Sequence, residues 1–216
     1  MSGLTDFTAQ ALLNWVVGKT AMPALPTVSV ALFTAIGVDA GTGFTEVTGG
    51  SYARVTTAGA AWNAASGSSP STISNATAIS FPMATAPWGT VIAFGLYDAS
   101  VAGNLLAWDY LGNFDWLPFS CTLASPGVLT VPAHGYTNGD SVVVTAEHGG
   151  TLPTTAGSWS GLLTVAGVAT NTFTAGVNTT GVGSGLVRKV TQQVISSGVQ
   201  ASFAGGTPGN LVLALS

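Results

Sequence analysis

Few residues of this 216-residue chain are equipped for chemistry, and each group can be weighed by its spacing. His134 and His148 are the only histidines, 14 positions apart and each beside a glycine. With Asp140 and Glu147 they include donor types found in metal sites. No HxH, HExxH or Cys/His pairing accompanies them, so they read as solvated loop histidines and no metal is expected. The one cysteine, Cys121, lies in the apolar run Leu117-Pro118-Phe119-Ser120-Cys121 and reads as a small buried residue. There is no GxSxG nucleophile elbow. Asp98, Asp109 and Asp115 form the one carboxylate cluster in sequence, with Trp108, Tyr110 and Trp116 nearby. A glycosidase needs two carboxylates about 5–10 Å apart over a sugar cleft. Strand alternation puts Asp109 on the face opposite Trp108 and Tyr110, which favours solvent-facing aspartates. A glycan-binding or glycan-cleaving module stays open as a rival. Arg54 stands nearly alone among uncharged neighbours, and Glu46 is its expected partner in a structural ion pair. No residue is assigned a catalytic, cofactor-binding or metal-binding role.

The elements that must position these groups are mostly strands. Short apolar segments of period two, separated by Gly, Pro, Ser and Asn, run from Thr45 to Tyr97. Strands are expected at Thr27–Phe33, Tyr52–Thr57, Ala78–Phe81, Thr90–Asp98 (the longest clean one) and Leu105–Leu111, with an exposed loop at Ser66–Asn75. One helix is expected over 5–17, with Thr5 as N-cap, Asp6 favouring the helix dipole, and Gly18 and Pro23 ending it. Its apolar stripe Leu4, Phe7, Ala11 and Trp15, widened by Leu12 and Val16, suits packing on the domain's own sheet or docking on a neighbouring subunit. After Cys121 the pattern changes. Val128–Val144 holds two strands around the Asn138-Gly139-Asp140 turn, and short strands follow at Leu162–Val165 and Thr172–Thr174. Val190–Phe203 and Leu211–Leu215 resume the alternation seen in the first 121 residues. The expected fold is all-β: an antiparallel, jelly-roll-like β-sandwich of residues 1–121 and 189–216 with one N-terminal helix. A small β-module at 122–188 is inserted and projects from it.

Composition narrows the class of function. Charged residues are 6% of the chain, against about 25% in ordinary globular proteins. A surface so poor in charge suits coverage by other subunits, so a homo-oligomer is expected. The net charge is −4 and the four cations form no stripe, which argues against nucleic-acid binding. The start, Met1-Ser2-Gly3-Leu4-Thr5-Asp6, lacks the positive region of a signal peptide. No apolar run reaches the ~20 residues that span a bilayer, so membrane insertion is not expected.

Several segments together resemble a family of small tailed-phage virion proteins commonly labelled tail-fibre proteins. They are Leu13-Asn14-Trp15, Thr45–Val55, Ala78–Pro82, Trp88–Ala99 and Gly103–Ala107, with Gly49–Val55 and Trp88–Val91 the most specific. Residues 122–188 resemble a β-module that recurs in phage virion proteins, through His134–Asp140, Gly150–Pro153 and Thr170–Thr174. The resemblance implies a non-enzymatic structural protein on the virion exterior, made in the host cytoplasm. Its partners would be the major capsid protein or tail proteins, with host-surface glycans a further contact. Capsid decoration or a head fibre is the first expectation, and a tail-fibre or baseplate accessory protein the alternative. The stripe Leu4, Phe7, Ala11 and Trp15 is the candidate docking surface.

Overall fold

The computed structural model describes residues 3–21, 27–67, 71–112, 114–146, 151–208 and 210–215. The chain forms two compact units, residues 1–111 with 192–216 and residues 112–191.

The first unit runs β1 (Gly3–Leu4), α1 (Asp6–Val16), β2 (Thr27–Ala35), β3 (Thr45–Glu46), β4 (Val55–Ala58), β5 (Ser71–Ser74), β6 (Ile79–Met83), β7 (Gly89–Val91), β8 (Ala93–Tyr97) and β9 (Leu105–Tyr110). The second holds β10 (Leu117–Cys121), β11 (Val128–Thr130), β12 (Ser141–Thr145), β13 (Leu163–Thr164), β14 (Thr172–Thr174) and β15 (Gly183–Val190). The chain then returns to the first unit with β16 (Gln193–Ile195), β17 (Gln200–Phe203) and β18 (Val212–Leu215).

An antiparallel sheet of order β1-β9-β8-β2-β3, with β4 also on β2, forms one layer of the first unit. β2 is apolar on both faces because both are covered. On one face Val30 and Leu32 join Phe94 and Leu96 against Ile79, Phe81, Val91, Ile195 and Leu211. Those partners come from or adjoin three two-stranded ribbons, β6–β17, β7–β16 and β5–β18. Each ribbon pairs an early strand with a late one, so the C-terminal strands complete a core begun by the N-terminal ones. Among the described residues the result is an all-β, sandwich-like fold with one α-helix and a single 3-10 turn at Gly59–Ala61. On the other face Phe33 meets Phe44 at 4.9 Å, and Phe44 meets Trp108 edge-on at 5.3 Å. A Cβ on Gly95 there would lie 2.5 Å from the Phe33 ring, so a side chain at this position would displace that ring.

The sheet order of the second unit is β13-β12-β15-β10-β11-β14. Just beyond β13, Ala166 exchanges two backbone hydrogen bonds with Thr174 of β14, at 2.9 and 2.8 Å. This bridge joins the two edges and closes the sheet into a small barrel, which removes exposed edges. Phe119, Leu129, Val142, Trp159, Phe173 and Val187 fill it. Each unit thus has a hydrophobic core of its own.

Several local expectations are corrected. β10 pairs along its length with β15, from Leu117 against Val187 to Cys121 against Gly183. Residues 112–121 and 189–191 therefore lie in the second unit, not in the first. Thr5 stands at the N-cap position of α1, but its side chain donates to the Leu105 and Leu106 carbonyls and does not cap the helix. The second strand starts at Val55, not Tyr52, and Thr90–Asp98 divides at Ile92 into parts of β7 and β8. The polar stretch expected as an exposed loop contains β5 and ends in the fully buried Asn75. β11 and β12 flank the Asn138–Asp140 turn but pair with other strands, so they do not form a hairpin.

Candidate functional site

The segments Gly49–Val55 and Trp88–Val91 meet in space. Gly49, Gly50 and Ser51 take left-handed φ values of 71°, 55° and 64°. That run turns the chain back toward β4. Trp88 Nε1 donates to the Gly50 carbonyl at 3.0 Å, and a Cβ on Gly50 would lie 2.8 Å from the Ala86 carbonyl oxygen. The Tyr52 ring stacks on Phe81 and stands edge-on to Trp88 at 5.2 Å. Its hydroxyl donates to Glu46 Oε1 and accepts the Leu32 N–H, both at 2.9 Å. Burial, reinforced by the Glu46 charge, holds the Tyr52 phenol well above its ordinary range.

The expected ion pair forms, and it is a fork. Arg54 Nε reaches Glu46 Oε1 at 2.9 Å and Nη2 reaches Oε2 at 2.7 Å. Its Nη1 donates to the carbonyls of Ala99 and Ala102, and the guanidinium lies 3.4 Å over the Tyr97 ring. Burial works against its charge, but the Glu46 hydrogen bonds and charge outweigh this and raise its pKa. Asp98 closes the same turn by accepting from the Asn104 N–H and side-chain amide, at 2.7 and 2.8 Å. Glu46, Thr48, Tyr52, Arg54, Ser100 and Val101 line an open groove of about 580 Å3. Its charged groups are committed to holding the 98–104 turn on β3, so the arrangement is equipped to fix backbone and not to transfer protons.

The part of the candidate sugar constellation on β9 is divided between the two faces of the strand. Register sets Asp109 opposite Phe94, and sets Trp108 and Tyr110 opposite Gly95 and Ala93. Both aromatics are buried, edge-on to each other at 5.3 Å, so neither offers a stacking face. Asp109 accepts the Tyr110 N–H, and Asp115 belongs to the other unit. His134 is not a solvated loop residue: it is buried against Tyr136 and Phe173. Its Nδ1 accepts the Tyr136 N–H at 2.8 Å and its Nε2 bonds the Ala169 carbonyl at 3.2 Å. Asp140 is paired with Lys189 at 2.8 Å. Burial opposes charge on Asp140, but hydrogen bonds from Lys189 and Thr137 outweigh it and hold its carboxyl below the usual carboxylate range. His148 and Glu147 lie outside the described residues. Among the described residues no three of His, Cys, Asp and Glu form a group that could hold a metal. Cys121 is buried, and burial pushes its thiol up.

The docking stripe divides. Leu4 pairs with Ala107 in the sheet and Ala11 is half-buried, while Phe7 and Trp15 are 50% and 52% exposed. Val16, which widens the stripe, is exposed by 66%, and Leu13 and Val17, outside it, by 66% and 75%. No residue of α1 is buried. Sequence periodicity marks an apolar face but not which side stays uncovered, so Leu13 and Val17 could not be singled out from it.

Comparison with known families bears on residues 3–115, just over half of the chain, which match the model described as podophage GP4 fiber I protein gp80. The chain belongs to this phage fibre family. The match spans β1 to β9 and includes both Gly49–Val55 and Trp88–Val91. The family's fibre description makes this a phage structural protein, and the family suggests a place on the virion exterior. Most of the second unit, from residue 116 on, lies beyond the match. No curated protein matches the chain. No helix among the described residues is long and apolar enough to cross a membrane.

Proposed function

We propose that this chain is a non-enzymatic subunit of the outer surface of a tailed-phage particle, anchored by its first unit and displaying residues 112–191. The observation that carries this reading is α1, whose Phe7, Leu13, Trp15 and Val16 stay at least half exposed on a fold of a fibre family. Exposed apolar surface of this kind marks a protein–protein contact. Among the described residues, Glu46, Arg54 and Asp98 hold turns and His134 packs in a core. The first placement is on the head, as a capsid-decoration or head-fibre protein bound to the major capsid protein. The family's fibre description equally suits a tail-fibre or baseplate accessory position contacting host glycans. Sparse charge also favours self-association, because copies repel one another little. Cryo-electron microscopy of particles made with and without this chain tests the reading. Difference density on the outside of the head is expected. Density confined to the tail would replace the head placement, and no external difference would overturn the proposal.

A further inference from the structure

Asn138 is the chain's only asparagine followed by glycine. A glycine at that place leaves the backbone nitrogen uncrowded, so the asparagine amide is open to attack by its own chain. Asn138 and Gly139 are both exposed, in the turn before β12. Gly139 takes φ +91°, and a Cβ built on it would meet nothing within 4 Å. The turn is open to water.

The same two residues hold the seam of the barrel. The Gly139 N–H donates to the Val165 carbonyl at 2.9 Å, and Asn138 Oδ1 accepts the Val168 N–H at 3.2 Å. Val165 and Val168 stand on either side of Ala166, whose bridge to Thr174 closes the barrel. The Val165 N–H donates in return to the Asp140 carbonyl at 2.8 Å. Asp140 is itself fixed three ways. Its N–H donates to the Thr137 carbonyl at 3.1 Å, its Oδ2 accepts the Thr137 N–H at 2.8 Å, and its Oδ1 meets Lys189 Nζ at 2.8 Å. The turn 137–140 is thus a latch on the seam.

We propose that Asn138 is a self-modification site, shielded while the seam is shut, whose conversion to isoaspartate keeps the seam from closing again. In the first step the Gly139 nitrogen attacks Asn138 Cγ and a five-membered imide ring forms. The Cγ–Nδ2 bond breaks, and Nδ2 leaves as ammonia with the proton lost from Gly139. Water then opens the ring. Cleavage at Cγ gives aspartate, and cleavage at the main-chain carbonyl gives isoaspartate, whose backbone runs through Cγ and is longer by one carbon. The imide nitrogen carries no proton, so the ring cannot form while Gly139 donates to Val165. The attack also turns the Asn138 side chain onto its own backbone and away from Val168. Conversion therefore follows local opening of the seam. In isoaspartate the added carbon lies inside the turn 137–140, which moves the Gly139 and Asp140 groups out of register with Val165 and Thr137.

The test incubates the purified full chain at mildly alkaline pH beside a sample held unfolded in urea. Both are peptide-mapped by a fragmentation that separates isoaspartate from aspartate. Asn138 is expected to be the first asparagine converted in the native chain, at a rate about tenfold to a thousandfold below that in urea. Equal native and urea rates would overturn the shielding. A native rate slower than that range, or earlier conversion of another asparagine, would overturn the site. K189M, which takes the lysine from Asp140, should speed native conversion severalfold and leave the urea rate unchanged, and an unchanged native rate would overturn the latch. Isoaspartate chains, once isolated, should exchange the Val165 and Val168 amide protons at least about tenfold faster than unconverted chains. N138D keeps the acceptor and the chain length and should exchange them at close to the wild-type rate. Isoaspartate chains that exchange like wild type would overturn the block on reclosure, and N138D exchanging as fast as they do would overturn the role of the added carbon.

Discussion

Two buried side chains bear most of the residue-scale argument. Asn75 is fully buried and gives its amide to the carbonyls of Thr77, Phe203 and Ala204, while its Oδ1 accepts the Leu211 N–H at 2.8 Å. It ties the C-terminal strands to the start of the core. Asn75→Ala strands those backbone groups without partners and should cost about 3–4 kcal/mol, read from the urea midpoint of unfolding. Tyr136 is the reverse case. Its hydroxyl is buried with no hydrogen-bond partner among the described residues. Burial, aided by the Asp140 charge, pushes its phenol up to about 12. The folded state holds the proton longer than an unfolded chain, whose tyrosines titrate near 10. Stability from the neutral phenol is therefore present below about pH 10 and lost as pH rises toward 12. Tyr136→Phe should leave stability at pH 7 unchanged or raise it by up to about 1 kcal/mol, and should reduce the alkaline loss. A thermal-melt series from about pH 8 to 11.5 on both proteins checks this. Equal alkaline slopes would count against it.

At the scale of elements, the tight β3–β4 connection has a packing cause. Gly50 sits at φ +55° with Trp88 Nε1 and the Ala86 carbonyl within 3 Å of where a Cβ would go. Gly50→Ala should cost about 2–3 kcal/mol and shift Trp88 fluorescence as its bond to the Gly50 carbonyl breaks. Strand alternation made much of this fold legible in the sequence: β2, β8 and β9 lie close to where period-two patterning puts them, and the Glu46–Arg54 pair followed from charge scarcity. The failures have physical reasons. β5 is a polar strand, Ser-Thr-Ile-Ser, held by pairing with the distant β18, and local pattern carries no trace of such a partner. His134 beside Gly135 looks like a loop tip, yet contacts from Ala169 and Phe173 bury it. Leu117–Cys121 alternates as the first unit's strands do, so only its pairing with β15 reveals which unit it serves. The Ala166–Thr174 bridge that closes the barrel is one residue wide on each side, below anything a sequence pattern records.

For the whole molecule, the two separate cores predict two separable folding units. Leu111 donates its N–H to the Ile92 carbonyl at 2.8 Å, and Gln193 pairs with the adjacent Val91. With strands about 4.8 Å apart, these two points of the first unit lie within roughly 10 Å, a span of three or four linker residues. Replacing residues 112–191 by a short Gly-Ser linker of that length should leave one cooperative transition in differential scanning calorimetry. A variant that aggregates, or that lacks a cooperative transition, would show that the first unit depends on the second.

Whether the second unit is displayed on the particle exterior is tested by binding an antibody to the largely exposed segment 157–161 on intact, purified particles. Gold-labelled antibody is expected to decorate the outside of unbroken particles at regular positions. Labelling seen only after particles are disrupted, or absent altogether, would contradict it.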